Sequence, residues 1–211
     1  AEVTGLAHAY TIEGDGDALD YKMIFDAVKD TVTVPGLLCE IGVRLGYGIF
    51  TMMCAGGSSR RYIGIDPYGH ILYTDSRGTR HTDYTNDMKR WCMLHLASWC
   101  QHTQTEYSLF NMEDYEFFKR FDDGVPIYVD GEKILEQQYA VVHIDGPHTL
   151  DAVQLATEWF VSRMQQGSYL IYDNINHYAH DPVTHTFLNE RGFETVAEVN
   201  SKRSYKRMRV A

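Results

Sequence analysis

Hydrophobic positions along this chain recur in two rhythms, and the two alternate. From Tyr21 onward, Ile24, Phe25, Val28 and Val32 return at helical spacing, with Asp20 placed to cap the helix start and Pro35-Gly36 to end it. A short apolar run, GLLCEIG (36–42), follows, then a glycine-punctuated turn and a short apolar helix, IFTMMCA, stopped by Gly56-Gly57. RYIGID (61–66) reads as a second strand, Met88, Trp91, Cys92, Leu96 and Trp99 as one face of a helix, and EYSLF (106–110) as a third strand. After a less regular stretch, YAVVHID (139–145) is a fourth strand. Leu150, Val153, Ala156, Phe160 and Met164 then predict a helix closing at Gly167, and SYLIYD (168–173) a fifth strand. Asp181-Pro182 to Gly192 carries the cap, first-position proline and terminal glycine of a short helix. FETVAEV and SYKRMRV finish as two strands joined by a tight turn.

Strands alternating with helices predict an α/β protein whose mostly parallel, seven-stranded sheet is covered on both faces. The last two strands have no helix between them, which predicts an antiparallel C-terminal edge. With 211 residues, 44% of them hydrophobic, the chain suits one domain over 1–211 rather than two. Within it, 1–35 is expected to be an N-terminal helical segment. The 121–138 stretch, with Asp130-Gly131 between two extended pieces, is expected to be a hairpin insertion.

Net charge is −10, which argues against nucleic acid as a partner, since that binding rests on clustered cations. The one basic segment, SKRSYKRMR (201–209), reads as a solvated strand face. The cysteines Cys39, Cys54, Cys92 and Cys100 lack CxxC spacing and sit in apolar segments, as small buried hydrophobes of a reducing compartment do. No apolar run is long enough to span a membrane, and AEVTGLAHAY has no signal-peptide pattern, so a cytoplasmic protein without a membrane partner is expected. Homo-oligomerisation stays open.

In an open parallel sheet, ligands bind beyond the carboxyl ends of the strands. Those tips are Glu40 with Gly42, Asp66, Asn111 with Met112, Asp145, and Asp173 with Asn174. Turns favour Asp and Asn, so each acid alone says little, but four of the five tips carry one. EIGVRLGYG (40–48) has its glycines as GxxxGxG rather than the GxGxxG of a dinucleotide site, which disfavours a dinucleotide-dependent oxidoreductase. Gly42 and Gly46 allow close backbone approach, Gly48 relieves crowding at the next helix, and an acid before the first glycine suits an ammonium-bearing ligand. Asp66 is placed to accept the hydroxyls of a ribose.

ExGxxxGxG after one strand, an acid ending the next and a strand-four Asp resemble a class I S-adenosylmethionine-dependent methyltransferase, over roughly Gly36 to Asn174. The resemblance implies a Rossmann-like sheet. It also implies S-adenosylmethionine as cofactor, its methionine part near Glu40 and Gly42, bordered by Gly46 and Asp145. Asp66 would hold the ribose, and Asn111 and Met112 would flank the adenine.

Asp145, Asp173 and Asn174 further resemble the divalent-metal triad of the metal-dependent O-methyltransferases, of macrocin sugar type and more distantly catechol type. Three oxygen ligands from adjacent strand tips can hold Mg²⁺ with room for water and substrate. His148, three residues after Asp145, matches the position of a histidine in the sugar-type enzymes and is the candidate general base. The reading is therefore metal-assisted O-methylation of a small molecule, a sugar or other vicinal diol, with His148 and Asp145 catalytic. Two alternatives stay open. One is a metal-dependent hydrolase using the strand-tip acids with His177, His180 and His185, which otherwise are expected to line the acceptor pocket. The other is an S-adenosylmethionine-binding protein without catalysis.

Overall fold

The computed structural model describes residues 18–69, 71–75, 78–82, 84–129, 131–146 and 148–209. In chain order it contains α1 (Ala18–Asp30), β1 (Leu37–Ile41), α2 (Tyr47–Gly56) with a single 3-10 turn after it, and β2 (Arg61–Ile65). A hairpin, β3 (Leu72–Asp75) and β4 (Gly78–His81), precedes α3 (Asn86–Thr103), β5 (Glu106–Phe110) and α4 (Asp114–Arg120). A second hairpin, β6 (Val125–Val129) and β7 (Glu132–Glu136), leads to β8 (Tyr139–Ile144), α5 (Leu150–Val161) and β9 (Met164–Tyr172). A π-helical turn (His180–His185) runs into α6 (Thr186–Glu190), followed by β10 (Phe193–Val199) and β11 (Lys202–Arg207).

One seven-stranded sheet has the order β10-β11-β9-β8-β1-β2-β5. β1 pairs in parallel with β2 and β8, β2 with β5, and β8 with β9, while β11 runs antiparallel to both β9 and β10. The antiparallel pair at the C-terminal side is as expected, but the reversed strand is not outermost: β11 slots inside and β10 forms the edge. Every residue of β1 and β8 is buried, the signature of strands covered on both faces. Their alternate side chains, with those of β9, feed two cores. Cys39, Ile41, Val142, Ile144 and Leu170 join Phe160 and Tyr205 on one face. Leu38, Val141 and Ile171 join Ile24, Ile49, Phe50 and Leu96 on the other, beneath α1, α2 and α3.

Several sequence expectations are corrected. Asp20 lies inside the first turn of α1 rather than capping it. The helix expected to close at Gly167 ends at Val161, and Gly167 (φ +89°) sits within β9. There the register jumps from Tyr139↔Met164 to Val141↔Tyr169, and Ser168 Oγ donates to Tyr139 O (3.1 Å) to close the bulge. A glycine inside a strand marks such a bulge as readily as a helix end. Asp181 does not cap a regular helix; it accepts from Arg203, and the backbone there is a π turn.

The largest correction concerns the basic segment. Lys202, Arg203 and Arg207 are buried rather than solvated. Arg203 donates to Glu198 (2.6 Å), and Arg207 to the carbonyls of Val161 (2.9 Å) and Met164 (2.5 Å). Placing β11 between two strands is what removes these cations from water, and each is compensated by an acceptor.

Candidate functional site

The alternation of side chains brings the chemistry to one face. Glu40 on β1 is register-paired with His143 on β8, and His143 with Ile171 on β9. Residues two positions further along, Gly42, Asp145 and Asp173, continue that face past the strand ends. His143 therefore shares the side of the acids. On the same line, β11 enters with Arg203 opposite Tyr172, which sets Lys202 beside Asp173.

These residues floor a cavity of about 530 Å³. Its lining includes Glu40, Gly42, His143, Asp145, His148, Asp173, Asn174 and Lys202, with Tyr21 from α1 and Tyr47 and Gly48 from α2 closing one wall. A second cavity of about 240 Å³ adjoins it through shared walls at Gly42, Arg44, Tyr84 and His148, and contains Asp66, Arg80, Glu113 and Asp114. Together they form one cleft over the carboxyl ends of β1, β2 and β8.

At the floor, Glu40 Oε2 accepts from the Ile49 N–H at the start of α2 (2.8 Å), and Oε1 pairs with His143 Nδ1 (2.9 Å). Lys202 Nζ lies 2.6 Å from His143 Nε2 and 3.6 Å from Asp173 Oδ1. An ammonium can only donate, so Nε2 is the lone-pair nitrogen and Nδ1 carries the proton given to Glu40. The histidine is thus held neutral: burial, then Lys202, keep its pKa well below the usual imidazole value. Burial lifts the Glu40 carboxyl to about 8, against the Ile49 N–H and Lys202, which pull it down.

At the outer end, burial and the neighbouring Asp173 raise the Asp145 carboxyl well above the ordinary range. Asn174, in a left-handed backbone conformation (φ +53°), directs Nδ2 to Asp173 Oδ2 (3.1 Å) and to His148 Nε2 (3.2 Å). His148 Nε2 is 3.9 Å from Asp145 Oδ1. The candidate triad and the candidate base are therefore in one place. Among the described residues no group of three His, Cys, Asp or Glu side chains stands ready for a metal, so a metal set here depends on the Asn174 carboxamide.

Two glycines have sharp steric reasons. A Cβ on Gly48 would lie 1.7 Å from Glu40 Oε1, and one on Gly42 (φ +81°) would lie 2.0 Å from the Asp145 carbonyl. Gly46 is different. Its φ of +86° turns the chain into α2, and it faces Cys92 rather than the cavity.

Asp66 is fully buried, with Oδ2 accepting from the Arg44 N–H (2.8 Å) and Oδ1 from the Tyr68 N–H (3.1 Å). Burial still lifts its carboxyl to about 6. Asn111 bonds Lys89 and the Asp66 carbonyl, and Met112 packs on the core; the residues after β5 that line the second cavity are Glu113 and Asp114. Of the three later histidines, only His177 lines the cleft, while His180 and His185 turn to Tyr205.

Sequence reasoning missed Lys202, Tyr21 and the β3–β4 hairpin beside the second cavity. Tyr21 was hidden in the helical pattern of α1 as one more apolar position. Burial, with Glu40 and Asp145 nearby, pushes its hydroxyl pKa upward.

Comparison with known proteins agrees with this architecture. Residues 39–175 match the sequence profile of a methyltransferase domain. No curated protein sequence matches. Among solved structures, the calicheamicin methyltransferase CalS11 superposes with a TM-score of 0.61 at 15% identity, covering 89% of this chain and 78% of that one. The O-methyltransferase TomG from Streptomyces achromogenes, in complex with S-adenosylmethionine, gives 0.59 at 13% identity, over 92% and 81%. A caffeoyl-CoA O-methyltransferase homologue from Staphylococcus aureus gives 0.57 at 13% identity, over 97% and 90%. At these identities the likeness establishes the fold.

Proposed function

The chain belongs to the methyltransferase-domain family and is an S-adenosylmethionine-dependent methyltransferase, and from that premise we propose that it methylates a hydroxyl of a small vicinal diol, a sugar being the favoured acceptor. The observation that carries this is the meeting of Asp145, Asp173, Asn174 and His148 around one end of a cleft whose other end is floored by Glu40. CalS11 is described as a TDP-rhamnose 3'-O-methyltransferase, which supports a sugar acceptor.

When bound, the cofactor supplies an electrophilic sulfonium methyl and leaves as a neutral thioether. Its methionine part fits the larger cavity, where Glu40 and Asp145 suit an ammonium and Gly42 and Gly48 keep the floor open. Its adenosine part fits the smaller one. Asp66 would meet a ribose only by sharing oxygens already bonded to Arg44 and Tyr68. Gly46 contributes the turn, and Asn111 and Met112 support the adenine end from behind, with Glu113 and Asp114 at the surface.

A divalent cation fits the donor chemistry of Asp145, Asp173 and Asn174, three hard oxygen ligands. Two carboxylates beside each other, one with its pKa driven upward by burial and then by the other, also form an arrangement that a dication relieves. Bound there, it would lower the pKa of an acceptor hydroxyl. His148 accepts that hydroxyl's proton at Nε2, the nitrogen that Asn174 Nδ2 already marks as the lone-pair side. The strand tips that carry these residues would hold acceptor and methyl donor in line.

The test is methyl transfer to a panel of nucleotide sugars and catechols, with and without chelator, in wild type, Asp145→Ala and His148→Ala. Asp145→Ala is expected to abolish turnover while the fold persists. His148→Ala is expected to lower kcat by about 10²–10⁴ with KM little changed. An effect of His148→Ala on KM alone would remove its role as base. Against the hydrolase alternative, only His177 of its three histidines lines the cleft, while His180 and His185 bond Tyr205.

A further inference from the structure

We propose that Lys202 is the residue that sets how tightly the acidic end of the cleft holds a divalent cation: its ammonium is a built-in counter-ion for Asp173 and competes with the metal for that carboxylate. The inference rests on the reading of Asp145, Asp173 and Asn174 as the metal-binding set.

Lys202 is 5% exposed, and its charge lies at the cleft floor rather than in solvent. It cannot swing away freely. Its Nζ is anchored on His143 Nε2 at 2.6 Å, and His143 is fixed in turn by Glu40, whose other oxygen is tied to the start of α2. The backbone is equally fixed, because Ile175 N–H donates to Ser201 O (2.9 Å) and Arg203 is register-paired with Tyr172. From this anchored position Nζ lies 3.6 Å from Asp173 Oδ1.

Consider the charge at this end of the cleft. With both carboxyls ionised, as a bound dication requires, Asp145 and Asp173 together offer two negative charges for it to balance. Lys202 already supplies one positive charge against them. A bound dication therefore meets a half-neutralised pair, and repulsion from a fixed ammonium in a partly desolvated pocket is only weakly screened. Without the ammonium the same carboxylates would form a stronger site. With it, the acceptor's own oxygens are needed to complete the coordination, which couples metal retention to acceptor binding.

The experiment is Mn²⁺ titration followed by electron paramagnetic resonance of the free ion, on wild type, Lys202→Gln and Lys202→Arg. Near-ultraviolet circular dichroism and a calorimetric titration of S-adenosylhomocysteine accompany each protein. Gln keeps a donor for His143 Nε2 but removes the charge; Arg keeps the charge. Lys202→Gln is expected to bind Mn²⁺ at least about tenfold more tightly than wild type, and Lys202→Arg within about threefold of wild type. Adding Asp145→Ala to Lys202→Gln is expected to erase the gain, which places the ion at this end of the cleft. Unchanged or weaker Mn²⁺ binding in Lys202→Gln overturns the proposal, as does a gain that survives Asp145→Ala. A purely structural lysine would instead weaken binding in both single variants. If wild type fails to bind S-adenosylhomocysteine, the cofactor reading falls by itself. If neither wild type nor Lys202→Gln binds Mn²⁺, the metal-binding set falls and the proposal with it; if wild type binds Mn²⁺ and Lys202→Gln gains nothing, only the role of Lys202 falls.

Discussion

Gly48 and Glu40 divide one small volume between them, and the first turn of α2 exists in its present form because residue 48 has no side chain. An alanine there would set its Cβ 1.7 Å from Glu40 Oε1. The carboxylate would have to leave both the Ile49 N–H and His143, stranding a buried polar chain. Gly48→Ala is expected to cost about 1–3 kcal/mol in urea denaturation and to weaken S-adenosylhomocysteine in calorimetry by tenfold or more. Wild-type affinity in that variant would show that Glu40 is not needed where it stands. This residue-scale logic was half legible in the sequence. An acid at the tip of an apolar run has no packing reason to be there, so Glu40, Asp145 and Asp173 stood out. The glycine could be read as relieving crowding, but the crowding partner lies eight residues back and is set by tertiary structure. Lys202 was illegible for a related reason. SKRSYKR has no apolar alternation, and only the insertion of its strand between two others reveals which of its cations are buried.

The segment from His180 to Glu190 shows how an element can be held by polar contacts rather than by helical regularity. His180 Nε2 meets Tyr205 OH at 2.8 Å, His185 Nδ1 meets it at 3.1 Å, and Arg203 donates to it at 3.2 Å. The other nitrogen of His180 bonds Tyr178 OH (3.1 Å), which ties the residues after Asn174 to β11. A cap, a first-position proline and a terminal glycine predicted an ordinary helix here, but these contacts pull the backbone into a π turn before α6 begins. Burial, then the nearby Arg203, depress the His180 pKa to about 4. Unfolded, the same imidazole titrates near ~6.5. Between those values the unfolded chain binds the extra proton, so stability falls as pH drops from about 6.5 to 4 and is unaffected by this residue above that window. The full effect is roughly 3 kcal/mol. Denaturant melts at pH 7, 5.5 and 4.5 are expected to show this loss in wild type and a shallower one in His180→Gln. Parallel pH profiles for the two proteins would mean that the imidazole is not held neutral.

At the scale of the molecule, the seven-stranded sheet was legible because its parallel core strands β1, β2 and β8 are apolar runs bounded by turn residues. The β3–β4 hairpin was not, because its strands are four residues each, and the described side chains of β4 are mostly exposed, leaving no pattern to read. That contrast has a dynamic counterpart. β11, though last in chain order, pairs on both sides and buries Tyr205 completely against Tyr172, whereas β3–β4 and β6–β7 are two-stranded ribbons outside the main sheet. Local opening should therefore release the two ribbons at low free energy, while β11 opens only with β8 and β9 in the global transition. Native-state hydrogen exchange read by mass spectrometry is expected to place β11 peptides with β1 and β8 and the ribbons well below them. Fast exchange of β11 would mean that it docks as a peripheral strand. The distinction bears on the site, since Lys202 rides on β11 and Asp173 on the end of β9. If the two strands form one cooperative unit, occupation of the cleft by S-adenosylhomocysteine should raise protection in β11 as much as in β8, although β11 contributes a single side chain and Ser201 to the wall. A sheet completed by its last strand thus makes the charge balance of the cleft a property of the fully folded chain, absent from any intermediate in which β11 has yet to dock.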